Sequence, residues 1–81
     1  DAEIANVSVY PNPTEGEIHI ESQVIIESVS IYNIYGQLIS SDAVNGSLYT
    51  ANISDKVDGV YVVQIMLRDG NTITQKVVKQ Q

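Results

Sequence analysis

Val60-Tyr61-Val62-Val63-Gln64-Ile65-Met66-Leu67, the pair Asp69-Gly70 and the run 71–79 read together as a β-hairpin. The first run is short, rich in β-branched residues and apolar at both parities, as a central strand partly covered on both faces is. Asp-Gly is a favoured hairpin connection because its residues tolerate positive φ. Working outward, the same period of two recurs. Val7 and Val9 alternate with Ser8 and Tyr10, then Pro11-Asn12-Pro13 removes two backbone donors and holds Tyr10 and Asn12 extended, a fixed corner at a strand end. After a turn at Glu15-Gly16, Ile18 and Ile20 take one face of a half-buried strand, with Glu17, His19 and Glu21 on the other.

Val29 and Ile31 alternate with Ser28, Ser30 and Tyr32. A Tyr35-Gly36 turn follows, and Leu38-Ile39-Ser40 completes a hairpin. Asn45-Gly46 predicts a further hairpin turn leading into Ser47-Leu48-Tyr49-Thr50. The stretch 52–58 is polar apart from Ile53 and Val57 and reads as a loop with at most one helical turn. No stretch shows a 3.6-residue period. About seven short antiparallel strands, with turns roughly every ten residues, predict an all-β, immunoglobulin-like Greek-key β-sandwich. The domain is expected to span 6–81, with 1–5 as a linker from an upstream region.

Composition agrees with this reading. Hydrophobic residues make up 43% of the 81-residue chain, with five tyrosines and no Phe or Trp. That content supports one packed core, and the length suits one domain. With no cysteine, neither disulfides nor thiolate metal sites are available, so packing and backbone pairing must hold the fold. The net charge of −6 argues against nucleic-acid binding, which needs a basic surface. Two of the four basic residues, Lys76 and Lys79, stand in the closing stretch, after all ten acids. The longest apolar runs, 60–63 and 24–26, fall far short of the ~20 residues of a membrane-spanning helix. Asp1 opens without Met or a charged-then-apolar leader, so the chain is expected to be a piece of a longer protein.

Chemistry-bearing residues are few. His19 is the single histidine, and with Glu17 and Glu21 it suggests an oxygen–nitrogen–oxygen metal site. Same-face neighbours on a strand stand ~7 Å apart, too wide for one small cation, so an exposed strand residue is the expectation. Asp55 with Asp58, and Asp69 with Asn71, offer oxygens but lack the ligand spacing of a calcium loop. Turn Asp and Asn are common for backbone reasons alone. Asn6-Val7-Ser8, Asn45-Gly46-Ser47 and Asn52-Ile53-Ser54 match the short N-glycosylation pattern, which matters only on a eukaryotic secretory route. Tyr10, Tyr32, Tyr35, Tyr49 and Tyr61 are expected at core and corner positions rather than as a sugar-binding platform. No catalytic residue, metal site or cofactor is expected, and the chain reads as a non-enzyme.

Three ordered motifs carry a resemblance. Val9-Tyr10-Pro11-Asn12-Pro13-Thr14-Glu15-Gly16 comes first, and Val29-Ser30-Ile31-Tyr32-Asn33-Ile34-Tyr35-Gly36-Gln37-Leu38-Ile39 second. Gly59-Val60-Tyr61-Val62-Val63-Gln64-Ile65 with Lys76-Val77-Val78-Lys79 comes third. Together they resemble the type A C-terminal sorting domains of the type IX (Por) secretion system of Bacteroidetes, over about residues 7–79. Asn33 and Tyr35 depart from the acidic and smaller residues also frequent there, and Gln80-Gln81 extends past the usual basic finish.

The resemblance implies a C-terminal signal on a larger cargo, in transit through the periplasm and then at the cell surface or secreted. It implies outer-membrane translocon and shuttle components as partners. A sortase-like cysteine protease would cut near Asp1, Ala2, Glu3, Ile4 or Ala5. The signal motif would comprise Tyr10, Pro11, Asn12, Pro13, Gly16, Tyr32, Gly36, Gly59, Tyr61, Lys76, Val77, Val78 and Lys79. From the residues alone, Lys76 and Lys79 either present a basic, partly exposed edge to a partner or guard an edge strand against aggregation. The competing readings are an adhesion or carbohydrate-binding module and a plain spacer beside a catalytic domain.

Overall fold

The computed structural model describes residues 7–80, and among them there is no helix. Five strands follow in order: β1 (Val7–Tyr10), β2 (Glu17–Asn33), β3 (Leu38–Asn52), β4 (Gly59–Leu67) and β5 (Thr72–Lys79). All named pairings are antiparallel, in the order β1-β2-β4-β5 with β3 also on β2.

β2 and β3 are long and serve two neighbourhoods. The first part of β2 pairs with β1 (Val9↔Ile20) and the end of β3 (Ile18↔Ala51). Its second part pairs with β4 (Ile31↔Val63) and the start of β3 (Val29↔Asp42). The sheet therefore has a three-stranded and a four-stranded limb. Their inner residues, Val9, Ile18 and Ile20 from one and Ile31, Val63, Ile65 and Val77 from the other, belong to one buried cluster. The all-β antiparallel expectation holds, with the seven expected runs present as five strands because two pairs of runs are continuous.

The bend between the limbs has a local cause. Ser22 Oγ donates to the Val24 carbonyl at 2.5 Å and accepts the Val24 N–H at 3.0 Å, which diverts the chain from regular pairing. The register shifts between Glu21 and Ile26, and again between Ile26 and Ser28. That second shift moves the buried set from even positions (Ile18, Ile20, Ile26) to odd ones (Val29, Ile31). A bulge there keeps both halves facing the same core, where an unbroken register would turn one half outward.

Asn45-Gly46 is not a hairpin turn. It lies inside β3, where Asn45 has φ 54° and stands as the extra residue between the pairs Ile26↔Gly46 and Ser28↔Ala43. Asn tolerates that left-handed conformation in a bulge as well as in a turn. Here both flanks pair with β2 rather than with each other. The Arg68 guanidinium donates to Asn45 Oδ1 at 3.1 Å, and the Arg68 N–H donates to the Ile25 carbonyl at 2.9 Å, which anchors this end of the sheet.

The other turns form as expected. Around Asp69-Gly70 the Gly70 N–H donates to the Leu67 carbonyl and the Asn71 N–H to Asp69 Oδ1. At the β2–β3 turn, Asn33 Oδ1 accepts the N–H groups of Tyr35 and Gln37, and Gly36 takes φ 82°. The stretch 53–58 is a loop, with Lys56 N–H donating to the Ile53 carbonyl at 2.9 Å.

Candidate functional site

The segment 11–16 is the least regular part of the described chain, yet it is thoroughly bonded. It lies along the outer edge of β5, which pairs with β4 on its other side only. The Asn12 side-chain amide substitutes for a neighbouring strand: Nδ2 donates to the Lys76 carbonyl at 3.0 Å, and Oδ1 accepts the Val78 N–H at 3.0 Å. Two residues on, the Thr14 N–H donates to the Val78 carbonyl at 2.8 Å and its carbonyl accepts the Gln80 N–H at 2.9 Å. Thr14 is buried, and its hydroxyl donates to the Glu17 carbonyl at 2.5 Å and accepts the Gly16 N–H at 3.0 Å. Both peptide bonds preceding the prolines are cis.

Gly16 then meets the 53–58 loop. Its carbonyl accepts the Ile53 N–H at 2.7 Å, and Ile53 is fully buried. A Cβ at Gly16 would stand 2.6 Å from Ser54 Cβ and 2.8 Å from its Cα, and φ is +153°. Only glycine fits both the contact and the backbone. An open depression of about 620 Å³ beside this junction is lined by Pro11, Pro13, His19, Asn52 and Ser54.

From the far side of the loop, Asp58 reaches Lys79. Lys79 is on the inner face of β5 with its side chain 2% exposed, and its ammonium donates to Asp58 Oδ1 at 2.8 Å. The expected exposed basic edge is therefore formed by Lys76 without Lys79. Alternation along β5 turns odd residues inward (Ile73, Val77, Lys79), and a cation placed there requires a carboxylate. Strand addition at 76–80 is closed as well, because Asn12 and Thr14 occupy the backbone groups it would use.

The remaining motif residues lie at this same end. Gly59 pairs with Lys79 and Tyr61 with Val77, while Asn33 pairs with Tyr61 and so brings in the β2–β3 turn with Tyr32 and Gly36. Tyr61 is buried, and its hydroxyl donates to the Val57 carbonyl at 2.6 Å. Residues 10–16, 32–36, 59–61 and 76–79 thus converge on one end of the domain. Val7 pairs with Ser22 at the other. The cleavage region Asp1 to Ala5 lies outside the described residues. Sequence reasoning left Thr14 out of the site and weighed Asp58 only as an oxygen ligand with Asp55, not as the partner of Lys79. A threonine directly after Pro-Asn-Pro, before a glycine, was the available signal for the first.

On the polar face of β2, His19 is engaged by neighbouring side chains. His19 Nδ1 is 3.1 Å from Thr50 Oγ1, its Nε2 is 3.8 Å from Glu17, and its ring lies 5.4 Å from that of Tyr10. Among the described residues no three His, Asp or Glu side chains group closely enough for a metal ion. The Tyr10 hydroxyl donates to Glu21 at 2.5 Å, and this bond and the nearby carboxylate charge raise its pKa. Tyr49 is pushed up to about 12, first by burial and then by donating its proton to Asp42. Both shifts stabilise neutral phenols and supply no acid or base near neutrality. Among the tyrosines, Tyr10 and Tyr35 are exposed, and Tyr10 is taken up by Glu21 and His19, so no contiguous aromatic platform forms.

The chain is 30% identical over 78 residues to an ulvan lyase, NLR42, of Nonlabens ulvanivorans, an alignment covering 94% of this chain and 15% of that relative. A family model described as the secretion system C-terminal sorting domain matches residues 8–80. With that match running from β1 to the clasped end of β5, the chain belongs to the C-terminal sorting domains of type IX secretion.

Proposed function

We propose that the sorting signal is the folded end of the domain, where the Pro-Asn-Pro-Thr segment clasps the last strand, rather than a linear basic tail. The observation that carries this is the bonding of Asn12 and Thr14 to Lys76, Val78 and Gln80. A receptor that read 76–80 as an extended peptide would first have to break those bonds.

On this reading the domain rides behind a larger cargo and passes through the periplasm. Shuttle and outer-membrane translocon components recognise it, and it arrives at the cell surface or in the medium. A sortase-like cysteine protease then cuts near residues 1–5. Any enzymatic activity belongs to the cargo, as the lyase named in the relative occupies a protein of which this chain spans 15%.

A reporter carrying the 81 residues at its C-terminus tests the proposal in a host with type IX machinery. Export of the intact fusion is expected, with retention in the periplasm on deletion of 76–81. Asn12→Ala removes both side-chain bonds to the last strand, and combined with Thr14→Val, which removes the hydroxyl bonds that hold the 14–17 turn, it should also retain the fusion, although every tail residue is present. Wild-type export of that clasp variant would refute recognition of the folded end.

A further inference from the structure

Beside the clasp lies a groove of about 430 Å³ between the β2–β3 turn, the 53–58 loop and the start of β4, with Ile34, Tyr35, Ile39, Val57, Val60 and Tyr61 in its wall. Tyr35 is 82% and Val57 80% exposed. Neither exposure is needed by the fold: Asn33 and Gly36 hold the turn through backbone and amide bonds, and Val57 contributes its carbonyl to Tyr61. Large apolar side chains held out on rigid turns beside a concave apolar wall mark an interaction surface.

We infer that this groove, at the end already assigned to recognition, seats a convex apolar loop of a neutral-to-basic protein of the secretion machinery. Two observations, the charge of the chain and the shape of the groove, select that occupant. A second copy is disfavoured, since each copy brings a net charge of −6 and a concave surface to the contact. The same charge repels an anionic lipid surface and attracts a basic protein.

The inference rests on the sorting role, and the experiment separates the two. In the reporter fusion, Tyr35→Ser and Val57→Ser are each expected to cut surface yield at least ~10-fold, as loss of a central apolar anchor does. Their thermal unfolding should match that of the intact chain. Leu48→Ser, an equally apolar exposed site away from the groove, should leave yield unchanged. A photo-crosslinker at position 35 should capture an outer-membrane component of the machinery, and one at Ser47 should not.

Folded groove variants exported at wild-type yield would overturn the inference while leaving the sorting role intact. Failure of the intact fusion to be exported would remove the sorting role and the inference with it. Concentration-dependent dimerisation of the wild-type chain, abolished by Val57→Ser, would assign the groove to a second copy and also overturn it.

Discussion

Gly16→Ala against Gly59→Ala is a matched pair, because the two glycines share nearly the same backbone, φ +153° and +152°, but not the same surroundings. At Gly59 an added methyl meets nothing within 4 Å, so the change carries only the backbone cost of ~1–3 kcal/mol. At Gly16 the same cost applies, but the methyl would sit 2.6 Å from Ser54 Cβ and 2.8 Å from Ser54 Cα, and the loop must retreat. That adds an overpacking cost of ~1–3 kcal/mol and weakens the 2.7 Å bond from Ile53 to Gly16. The expected difference between the variants is about 2 kcal/mol, or roughly 8–16 °C in midpoint for a domain of this size. A domain of 81 residues has ~4–12 kcal/mol in all, so Gly16→Ala should stand close to the unfolding limit. Urea unfolding followed by far-ultraviolet circular dichroism measures both. Adding Ser54→Gly to Gly16→Ala should recover ~1 kcal/mol, since it removes one of the two clashing atoms. Equal stabilities within ~0.5 kcal/mol, or no recovery, would refute the close-approach argument.

The Lys79 and Asp58 partners should respond asymmetrically: Asp58→Ala leaves a buried ammonium without that carboxylate and should cost ~2–3 kcal/mol, whereas Lys79→Met leaves a half-exposed carboxylate and should cost less than ~1.5. Chemical denaturation of both variants checks the order. Asn12→Ala removes two bonds to the β5 edge, for ~1–3 kcal/mol, and hydrogen exchange should accelerate at Val78 more than at Val77, whose pairing faces β4. Tyr61→Phe deletes the bond to the Val57 carbonyl and should lower stability by ~0.5–1.5 kcal/mol without changing the fold, as read by denaturation and circular dichroism. Tyr49 stays protonated in the folded state up to about pH 12. Its contribution is therefore complete below pH 10, the ordinary tyrosine value, and is lost as pH rises through 12. Absorbance of the tyrosinate should show a last step near pH 12 that Tyr49→Phe removes.

Strand chemistry was legible wherever alternation was local. Ile18-His19-Ile20, the Tyr35-Gly36 turn and the 60–79 hairpin all form as their patterns indicate, because neighbouring side chains and turn residues suffice to specify them. What escaped reading depends on partners distant in the chain. Asn45-Gly46 satisfies the local rule for a tight turn, but whether its flanks pair with each other or with β2 is decided by the two-sided burial of β2. The parity change between Ile26 and Val29 is a bulge, and nothing in the run 26–29 announces one. Lys79 resembles any solvated terminal lysine until alternation from Ile73 and Val77 is followed to Asp58 across the 53–58 loop. The motif residues were readable as a set. That they meet at one end, with Thr14 at their centre, required the fold.

The bonds of Asn12 to Lys76 and Val78 join residues 64 and 66 positions apart. Their acceptor and donor therefore leave the ribosome long after Asn12 does. A chain stopped or trimmed ahead of Lys76 can still build most of the core, but it leaves Asn12 and Thr14 with nothing to hold. The closed end thus forms only once synthesis has passed Gln80, so it distinguishes a domain made in full from one cut short within β5.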